Sequence, residues 1–366
     1  MHPVKVSEKT GSEPLRIGAL DALRMTAAVI VFREHFYVVF DIDGPRYSAF
    51  GLLDAKAAVT LFFVLSGYVL AISLSRSEPS LKQYVNFGIR RFFRIYPLYW
   101  VALLVTFCVL IWVRTKPDFT YAVDMPSSFV DAPGLQWKQW LLQMTLIAPG
   151  IVSFFAMPTV WTLMVEAKVA IVFPFLAWVL LRTHWAVAAA VLAGLVLGAG
   201  WLMDHVVGTA LFLGQFGMGV MLHRLPAKIW SKMNTWVWCL LLLASIALYR
   251  TMSLRLSFSH DQASYYHYTC ALGSAGFIVF TLHWPLVKSF LERIQKALRY
   301  DLSYGLYILH YPVMIALRSI WLEGGRTLPL SALCLLSATL TVSLAYVLHR
   351  FVELPAIRLG RRMTFR

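Results

Sequence analysis

Apolar runs long enough to cross a lipid bilayer recur along almost the whole of this 366-residue chain. A transmembrane helix needs about 20 predominantly apolar residues, and ten stretches approach or reach that length. They lie at 17–40, 51–75, 92–114, 159–182, 185–203, 207–223, 235–250, 267–288, 302–322 and 329–352. Because hydrocarbon offers the backbone no hydrogen-bond partners, spanning segments of this kind fold as helices. The sequence therefore predicts an all-α fold, a polytopic membrane helical bundle of about ten transmembrane helices.

The composition excludes a soluble globular protein. Hydrophobic residues make up 59% of the chain and charged residues 14%, whereas soluble domains carry roughly 25% charged residues. The net charge of +15 would suggest nucleic acid, but the charge follows the loops between apolar runs, so no nucleic-acid partner is expected. The four cysteines fall in predicted spans and lack the spacing of a metal or redox site, so no metal is expected either.

The distribution of lysine and arginine predicts the orientation in the membrane. If the N-terminus is cytoplasmic, and basic residues near the end of a span are counted with the adjoining loop, 21 of the 33 basic residues lie on the cytoplasmic side and 9 lie outside. The other three, Arg24, Arg33 and Lys168, lie deeper within spans. Cytoplasmic loops of membrane proteins carry such an excess. We therefore expect both termini inside the cell (N-in/C-in).

The same pattern divides the chain into three parts. Residues 1–16 form a polar cytoplasmic N-terminal segment, residues 17–358 form the transmembrane domain, and residues 359–366 form a basic tail expected to be solvated at the inner surface. Residues 115–158 form a long external loop within the domain. The loop contains an apolar, tryptophan-bearing stretch that is too short to span, which we expect to lie at the interface or to re-enter the membrane.

Arg24 and His35 interrupt the first apolar run, eleven positions apart. Eleven helical residues return to within about 20° of the same face and separate the two side chains by about 16 Å. Ionisable groups at membrane depth are costly and mark functional sites. A neutral imidazole accepts a proton near pH 7, and a guanidinium binds phosphate or a developing oxyanion. The ordinary structural explanations are a histidine hydrogen-bonded across helices and an arginine that reaches the interface.

Three arginines, Arg90, Arg91 and Arg94, stand at the predicted cytoplasmic start of the third span. Arg91 and Arg94 share a helix face, and arginine forks match the geometry of phosphate. The cluster therefore predicts a clamp for a cytosolic phosphorylated ligand. A plain positive-inside anchor is the alternative.

Glu166 lies about two turns into a span that enters from outside, which puts it at a depth comparable to His35. Its charged neighbour Lys168 points elsewhere, because i,i+2 residues do not face each other on a helix. We expect Glu166 to orient His35 or to hydrogen-bond a hydroxyl substrate. Ser66 precedes Gly67 in another apolar run, where such a small pair usually permits close helix packing. A nucleophilic serine is the alternative for Ser66.

Two segments near the C-terminus carry further polar residues. Tyr304, Tyr307 and His310 follow one another at i,i+3 and form a stripe on one helix face. An interfacial aromatic belt explains Tyr304 alone but not three residues in register. Glu353, at the inner end of the last span, is expected to pair with an arginine or to support the site.

These six elements, in this order, resemble the acyltransferase 3 family of integral membrane acyltransferases, in its stand-alone form without an SGNH hydrolase-like domain. The resemblance covers about residues 18–358. The matching motifs are R-x10-H from Arg24 to His35, the SG pair at Ser66 and Gly67, R-x-x-R-I-Y-P from Arg91 to Pro97, W-x-L-x-x-E from Trp161 to Glu166, S-Y-G-x-Y-x-x-H-x-P from Ser303 to Pro312, and E-x-P from Glu353 to Pro355. Thr162, Lys168 and Val169 depart from the family's usual residues, which affects the acceptor pocket rather than the reaction class.

The resemblance implies an O-acyltransferase of a bacterial cytoplasmic (inner) membrane, a multi-pass protein in contact with membrane lipid. Such an enzyme transfers a group other than an aminoacyl group, commonly acetyl. The donor substrate would be acyl-CoA, commonly acetyl-CoA, with no bound cofactor, and the acceptor a hydroxyl of a carbohydrate or lipid-linked glycan outside the cell. A transporter or flippase of a polysaccharide or lipid-linked substrate is the rival class, and a non-enzymatic partner of a polysaccharide synthase is a third.

The resemblance also implies roles for the candidate residues. His35 would act as general base on the acceptor hydroxyl or first accept the acyl group, and Arg24 would stabilise the thioester oxyanion or a CoA phosphate. Glu166 would orient His35 or the acceptor. The remaining candidates would bind CoA phosphates (Arg90, Arg91 and Arg94) or support the pocket (Ser66, Tyr304, Tyr307, His310 and Glu353).

Overall fold

The computed structural model describes residues 18–42, 51–76, 78–116, 137–147, 157–205, 209–254, 263–298 and 300–365. Within those ranges the regular structure is helical and contains no strand, which confirms the all-α prediction. The α-helices are α1 (Gly18–Val39), α2 (Ala55–Leu74), α3 (Leu81–Arg114), α4 (Trp137–Met144), α5 (Val160–Arg182), α6 (Trp185–His205), α7 (Thr209–Arg224), α8 (Lys228–Ser231), α9 (Thr235–Leu254), α10 (Ala263–His283), α11 (Pro285–Leu298), α12 (Ser303–Glu323), α13 (Leu330–Leu348) and α14 (Leu354–Arg362).

Several of these helices can cross a membrane. Six in the described part of the chain are long and apolar enough, or seven if a bent pair counts as one span. They are α2, α3, α5, α9, α12 and the continuous rod of α13 and α14. Helices also occupy the predicted spans at 17–40, 185–203 and 207–223, but α1 carries four charged residues and α6 and α7 have shorter apolar stretches. The count of ten crossings stays a prediction.

Helix α3 begins eleven residues before the predicted third span. Ser80 caps it by accepting a hydrogen bond from the backbone N–H of Gln83 at 3.2 Å, and no proline follows before Pro97. The 34 residues of α3 extend about 51 Å. Arg91 and Arg94 therefore lie about 15–20 Å inside the helix, not at its start as the sequence suggested.

The predicted span at 267–288 is also not one straight helix. Helix α10 ends at His283, and α11 leaves at an angle of 84°. Pro285 opens α11, where its missing N–H costs no helical hydrogen bond, whereas the same residue inside a helix would break it. The amphipathic α11 then packs against α1.

Helix α4 and the residues that follow it belong to the predicted external loop, and they lie along α3. The rings of Trp140 and Phe107 are 4.8 Å apart, while the Tyr96 hydroxyl donates to the carbonyl oxygen of Thr145 at 2.6 Å. Their partners on α3 are eleven residues apart, or about 16 Å along the axis. This part of the loop therefore packs against α3, and whether it re-enters the membrane or lies at the interface stays a prediction. Residues 117–136 and 148–156 of this loop lie outside the described residues.

The bundle has two ends relative to the candidate site. The arginine end is the level at which Arg24 and Arg94 both meet Asp301, just before α12. The opposite end is where α1 and α12 finish, at Val39 and Glu323. Helices α1 and α12 pack side by side and run in the same direction, and α13 returns antiparallel to the arginine end.

The predicted basic tail is partly folded rather than wholly solvated. Helix α14 crosses the expected boundary at residue 358 and packs against α3. The Asn86 side chain donates to the Phe365 carbonyl oxygen at 3.0 Å and accepts from the Phe365 N–H at 2.8 Å. This pair of hydrogen bonds ties the end of the chain to α3. Residues 1–17, and with them the N-terminal segment, lie outside the described residues.

Candidate active site

His35 and His310 form a stacked pair between α1 and α12. The Nδ1 atom of His35 lies 2.7 Å from the Nε2 atom of His310, and the ring centroids are 5.0 Å apart with an angle of 18° between the planes. His310 is fully buried, whereas His35 is partly exposed. Arg24 forms an ion pair with Asp301, just before the start of α12, and His35 contacts His310 on α12. Both side chains of α1 therefore point toward α12, which confirms the predicted common face.

The hydrogen bonds of the pair define which nitrogen carries each proton. The Nδ1 atom of His310 lies 2.9 Å from the Leu306 carbonyl oxygen, and a carbonyl only accepts. Nδ1 of neutral His310 is therefore the donor, and its Nε2 keeps the lone pair. Nε2 of His310 then accepts from Nδ1 of His35. The lone pair of His35 is left on Nε2, the position from which a general base acts.

A network of arginines and carboxylates occupies the arginine end. Arg24 bonds to Asp21 at 3.1 Å and to Asp301 at 3.3 Å, and Arg94 reaches the same Asp301 at 3.6 Å. Burial alone would raise the pKa of Asp301, but Arg24, Arg94 and hydrogen bonds from Ser303 hold that pKa below its ordinary value. Asp301 is therefore ionised and joins α1, α3 and α12 through one carboxylate.

Glu353 enters the network from the end of α13. Residues His349–Glu353 form a single turn of π-helix, a local widening that often occurs at functional sites. The carboxylate of Glu353 is fully buried and pairs with Arg94 on one oxygen. Its other oxygen lies 2.6 Å from Nδ1 of His349. The sequence expectation that Glu353 pairs with an arginine is confirmed.

The charges of this network nearly cancel. Three arginines meet four carboxylates, which are Arg24, Arg91 and Arg94 with Asp21, Asp301, Glu166 and Glu353. Arg91 and Arg94 are thus already held by carboxylates, although Nε of Arg91 has no hydrogen-bond partner in the described part of the chain. Arg90, by contrast, is half-buried and makes no ion pair among the described residues. The three arginines expected to act together are in two different environments.

Glu166 lies closer to the arginine end than its expected depth. The Thr162 hydroxyl, one turn earlier on α5, is 2.8 Å from the Tyr307 hydroxyl. From that level α5 continues toward Arg91, the ion-pair partner of Glu166, while His35 lies on the other side. The sequence prediction assumes that α5 starts at the outer surface, but the first turn of α5 lies inside the bundle beside α12. The structure therefore does not bring Glu166 to His35.

The two tyrosines of the stripe hold α12 to its neighbours. The Tyr304 hydroxyl donates to the Ile95 carbonyl oxygen at 2.7 Å, which anchors α12 to α3 next to Arg94. Tyr307 contacts α5 through the Thr162 hydroxyl. Of the three residues in the stripe, only His310 contacts His35, so the stripe combines two positioning residues with one member of the histidine pair.

Ser66 lies far from the histidine pair. The N–H of Ala55 donates to a Glu34 carboxylate oxygen at 2.7 Å, which places the start of α2 beside His35. Ser66 follows eleven residues later on α2, about 17 Å along the axis. His35 is too distant to take its proton. Gly67 has a packing role, since a Cβ built there would lie 2.0 Å from the Phe216 carbonyl oxygen of α7.

Sequence reasoning missed two members of the site. Asp301 connects Arg24 to Arg94, and its Oδ1 atom also accepts from the N–H and hydroxyl of Ser303. Asp301 stands two residues before the serine of the S-Y-G motif, and this spacing could have identified Asp301 from the sequence. His349 stands four residues before Glu353, and i,i+4 side chains are neighbours on a helix, so this pair could also have been found in the sequence. Within the described ranges, no group of three histidines, cysteines and acids is placed to hold a metal.

Comparison with known proteins identifies the family of the chain. Residues 17–348 match the acyltransferase domain model of the acyltransferase 3 family. The chain is 26% identical to Acyltransferase MdmB of Streptomyces mycarofaciens, over 95% of this chain and 94% of that protein. It is 24% identical to Nodulation protein 10 of Rhizobium leguminosarum bv. viciae, over 94% and 95% of the two chains. No solved structure matches the chain. The match over nearly the whole length shows that this chain is a multi-pass membrane protein of the acyltransferase 3 family.

Proposed function

We propose that the protein is an O-acyltransferase that moves an acetyl group from cytosolic acetyl-CoA to a hydroxyl of a carbohydrate or lipid-linked glycan outside the cytoplasmic membrane. The observation that carries this proposal is the His35–His310 pair, in which one ring is oriented by the other and keeps a basic lone pair. Arg24 lies on the same face of α1, about 16 Å away. A base near one end of this helix face and a cation near the other suit an extended donor that lies along the face between them.

The reaction follows from the tautomers of the pair. Nε2 of His35 accepts the proton of the acceptor hydroxyl as its oxygen attacks the thioester carbonyl. His310 stabilises the resulting imidazolium, because its Nε2 accepts from Nδ1 of His35. When the tetrahedral intermediate collapses, the carbon–sulfur bond breaks and the thiolate of CoA takes the proton from His35. The products are an ester and CoA, and His35 returns to its neutral form.

The donor's phosphates are assigned to the first part of α3. Arg90 makes no ion pair in the described structure, and α14 brings Arg358, Arg361 and Arg362 to the same stretch of α3. Guanidinium groups bind phosphate oxygens in pairs. Arg91 and Arg94 lie deeper and join this site by exchanging carboxylate for phosphate. Arg24, about 16 Å from His35, is too far from the reacting thioester to stabilise its oxygen and is assigned to a CoA phosphate instead.

This assignment requires the arginine end to face the cytoplasm, where acyl-CoA is present. The excess of lysine and arginine on that side supports the orientation. The acceptor then approaches from the opposite end, past the ends of α1 and α12. In the same proposal Glu166 and Glu353 act as positioning residues, because each fixes an arginine of α3.

The direct test is acetyl-CoA consumption by purified protein in lipid nanodiscs, with a panel of neutral and acidic oligosaccharides as acceptors. We expect thiol release and an acetylated saccharide detected by mass spectrometry. A general base contributes roughly 10²–10⁴-fold to rate, so His35→Gln should lower kcat by about that factor while the protein still folds. Saccharide or lipid transport without thioester consumption would instead favour the flippase class. Folded His35→Gln protein with normal turnover would refute the role of His35.

A further inference from the structure

A cavity of about 270 Å³ opens at the opposite end of the bundle, where α1 and α12 finish. This is close to the lower end of the roughly 300–1,000 Å³ typical of ligand pockets. Aromatic, apolar and charged side chains line it together. They include Phe40, Asp41, Ile42, Arg318, Trp321 and Arg326.

The cavity continues the axis of the candidate active site. Trp321 follows His310 by eleven residues on α12, which returns it to within about 20° of the same face and about 16 Å further out. Ile42 lies just beyond the end of α1, seven residues after His35. Arg24, the histidine pair and this cavity therefore lie in sequence along one helix interface, with the cavity on the side away from the arginine end.

Backbone strain is concentrated at the cavity. Three non-glycine residues in the described part of the chain have a positive φ, and two of them, Asp41 at 51° and Arg326 at 59°, line this cavity. Asp41 ends α1 in a Schellman motif, with the Ile42 N–H bonded to the Tyr37 carbonyl oxygen at 3.0 Å. Glycine is the usual residue at that position. Strained side-chain-bearing residues are retained where they serve a ligand or a site more often than elsewhere.

The side chains at the cavity are held in place. The indole N–H of Trp321 donates to the Leu328 carbonyl oxygen at 2.9 Å, and its ring meets the ring of Phe40 at 5.9 Å. The guanidinium of Arg326 lies 5.6 Å from the same indole ring. A fixed aromatic surface beside two arginines and a carboxylate offers both an apolar face and several directed donors and acceptors.

We propose that this cavity is the acceptor subsite and binds a sugar ring of the carbohydrate that receives the acyl group. The inference rests on the proposed function. A sugar ring presents C–H groups on its face, which pack on Trp321, and hydroxyl groups at its edge, which donate to Asp41 and accept from Arg318 and Arg326. The net positive charge of these three groups also accommodates a carboxylate on the sugar. Because the level of Trp321 is about 16 Å from the histidine pair, the reacting hydroxyl is carried by a neighbouring sugar unit that lies between this ring and His35.

The first test measures saccharide binding by calorimetry on the full chain in nanodiscs, without acetyl-CoA. The probes are a neutral hexose tetrasaccharide and a uronic acid tetrasaccharide, which separate an uncharged from an acidic acceptor. We expect Trp321→Leu and Arg318→Gln to weaken the Kd of the bound probe at least about tenfold, equivalent to ~1.4 kcal/mol.

The matched control is Trp112→Leu. Trp112 on α3 also pairs with a cation, since the Lys116 ammonium lies 5.2 Å from its ring, but it does not line the cavity. Its Kd should stay within about twofold, the usual effect of a surface change.

The second test uses the strained positions. Asp41→Gly and Arg326→Gly relieve a positive φ and should raise Tm, while both should weaken saccharide binding. A merely structural role predicts no loss of binding in these more stable variants. The assay thus separates the subsite from general damage to the fold.

The outcomes distinguish this inference from the proposed function. Binding of either probe that depends on Trp321 supports the subsite even if no acetyl-CoA is consumed, a result that would overturn the proposed function alone. Acetyl transfer with an unchanged acceptor KM in Trp321→Leu and Arg318→Gln would overturn the subsite alone. If neither probe binds but phosphatidylglycerol added to the detergent-solubilised protein does, and Trp321→Leu abolishes that binding, the cavity is a lipid headgroup site and the inference is wrong.

Discussion

At the scale of the residue, the site depends on a histidine oriented by another histidine. His310 is fixed by the Leu306 carbonyl oxygen on its own helix, and it offers His35 only an acceptor nitrogen. In a serine protease triad a carboxylate takes this place and stabilises the imidazolium. A neutral ring brings no full charge into the apolar interior, where an unpaired carboxylate would be expensive.

The predicted consequence is that His310 acts through the tautomer of His35. His310→Leu removes the acceptor for Nδ1 of His35, so kcat should fall between about 10²- and 10⁴-fold. His310→Gln keeps a side-chain carbonyl oxygen that can accept the same hydrogen bond, so it should retain more activity than His310→Leu. Measuring kcat and its pH profile for both variants checks this. Equal activity in the two variants, with unchanged thermal stability, would contradict a positioning role.

At the scale of the element, close contact between α2 and α7 sets the framework behind the site. Gly67 of α2 lies against the backbone of Phe216 of α7. In the same contact, a Cβ built on Gly219 of α7 would lie 2.1 Å from the Val64 carbonyl oxygen of α2. Small residues allow helix backbones to approach in membranes, where packing rather than water exclusion drives association. This confirms the packing interpretation of the Ser66–Gly67 pair.

Gly67→Ala is therefore expected to destabilise the bundle. The added methyl group meets backbone that cannot rotate away, and overpacking costs about 1–3 kcal/mol. Gly88→Ala on α3 is the matched control, because nothing lies within 4 Å of a Cβ built there. A helical Gly→Ala change at an open site adds up to about 1 kcal/mol of stability. Thermal unfolding in one detergent should separate the two variants in opposite directions, and equal Tm values would refute the close contact.

The arginines of the long helix α3 fall into two groups that differ in their ion-pair partners. Arg90 lacks an ion-pair partner among the described residues, whereas Arg91 and Arg94 hold Glu166 and Glu353. If Arg90 binds a CoA phosphate directly, Arg90→Gln should raise the KM for acetyl-CoA about tenfold or more, as the loss of a charged hydrogen bond would.

Arg91→Gln and Arg94→Gln should behave differently from Arg90→Gln. Each removes the arginine that pairs with a carboxylate, so we expect lower thermal stability in addition to a raised KM. Removing one partner of a buried ion pair costs about 3–5 kcal/mol, and these partly exposed arginines should fall below that range. Normal acetyl-CoA kinetics in all three purified variants would favour an ordinary membrane anchor over a phosphate site.

At the scale of the whole molecule, the proposed function divides the bundle into a donor side and an acceptor side. The orientation in the membrane decides which is which, and it is predicted only from basic residues. A fluorescent protein fused after Arg366 should fluoresce in the cytoplasm, and an epitope inserted in 115–158 should be labelled from outside. An exported phosphatase that becomes active when fused after Arg366 would reverse the orientation, and with it the assignment of the donor.

The sequence by itself determined the fold class and much of the site's membership. Apolar runs require helices because lipid leaves no other backbone partner. The spacing of Arg24 and His35 fixed their common face, since the helical repeat is set by local geometry. The order of six motifs gave the family. Each of these properties depends on residues close together in the chain.

Only the tertiary structure decided which polar groups meet. Glu166 joins Arg91 rather than His35 because α5 begins inside the bundle, and Asp301 joins Arg24 to Arg94 across three segments. The break at Trp284, the length of α3 and the cavity beyond the histidine pair likewise depend on how helices pack. The physical reason is that depth and partnership are set by the register between helices. That register follows from contacts such as Gly67 on Phe216, which no single helix contains.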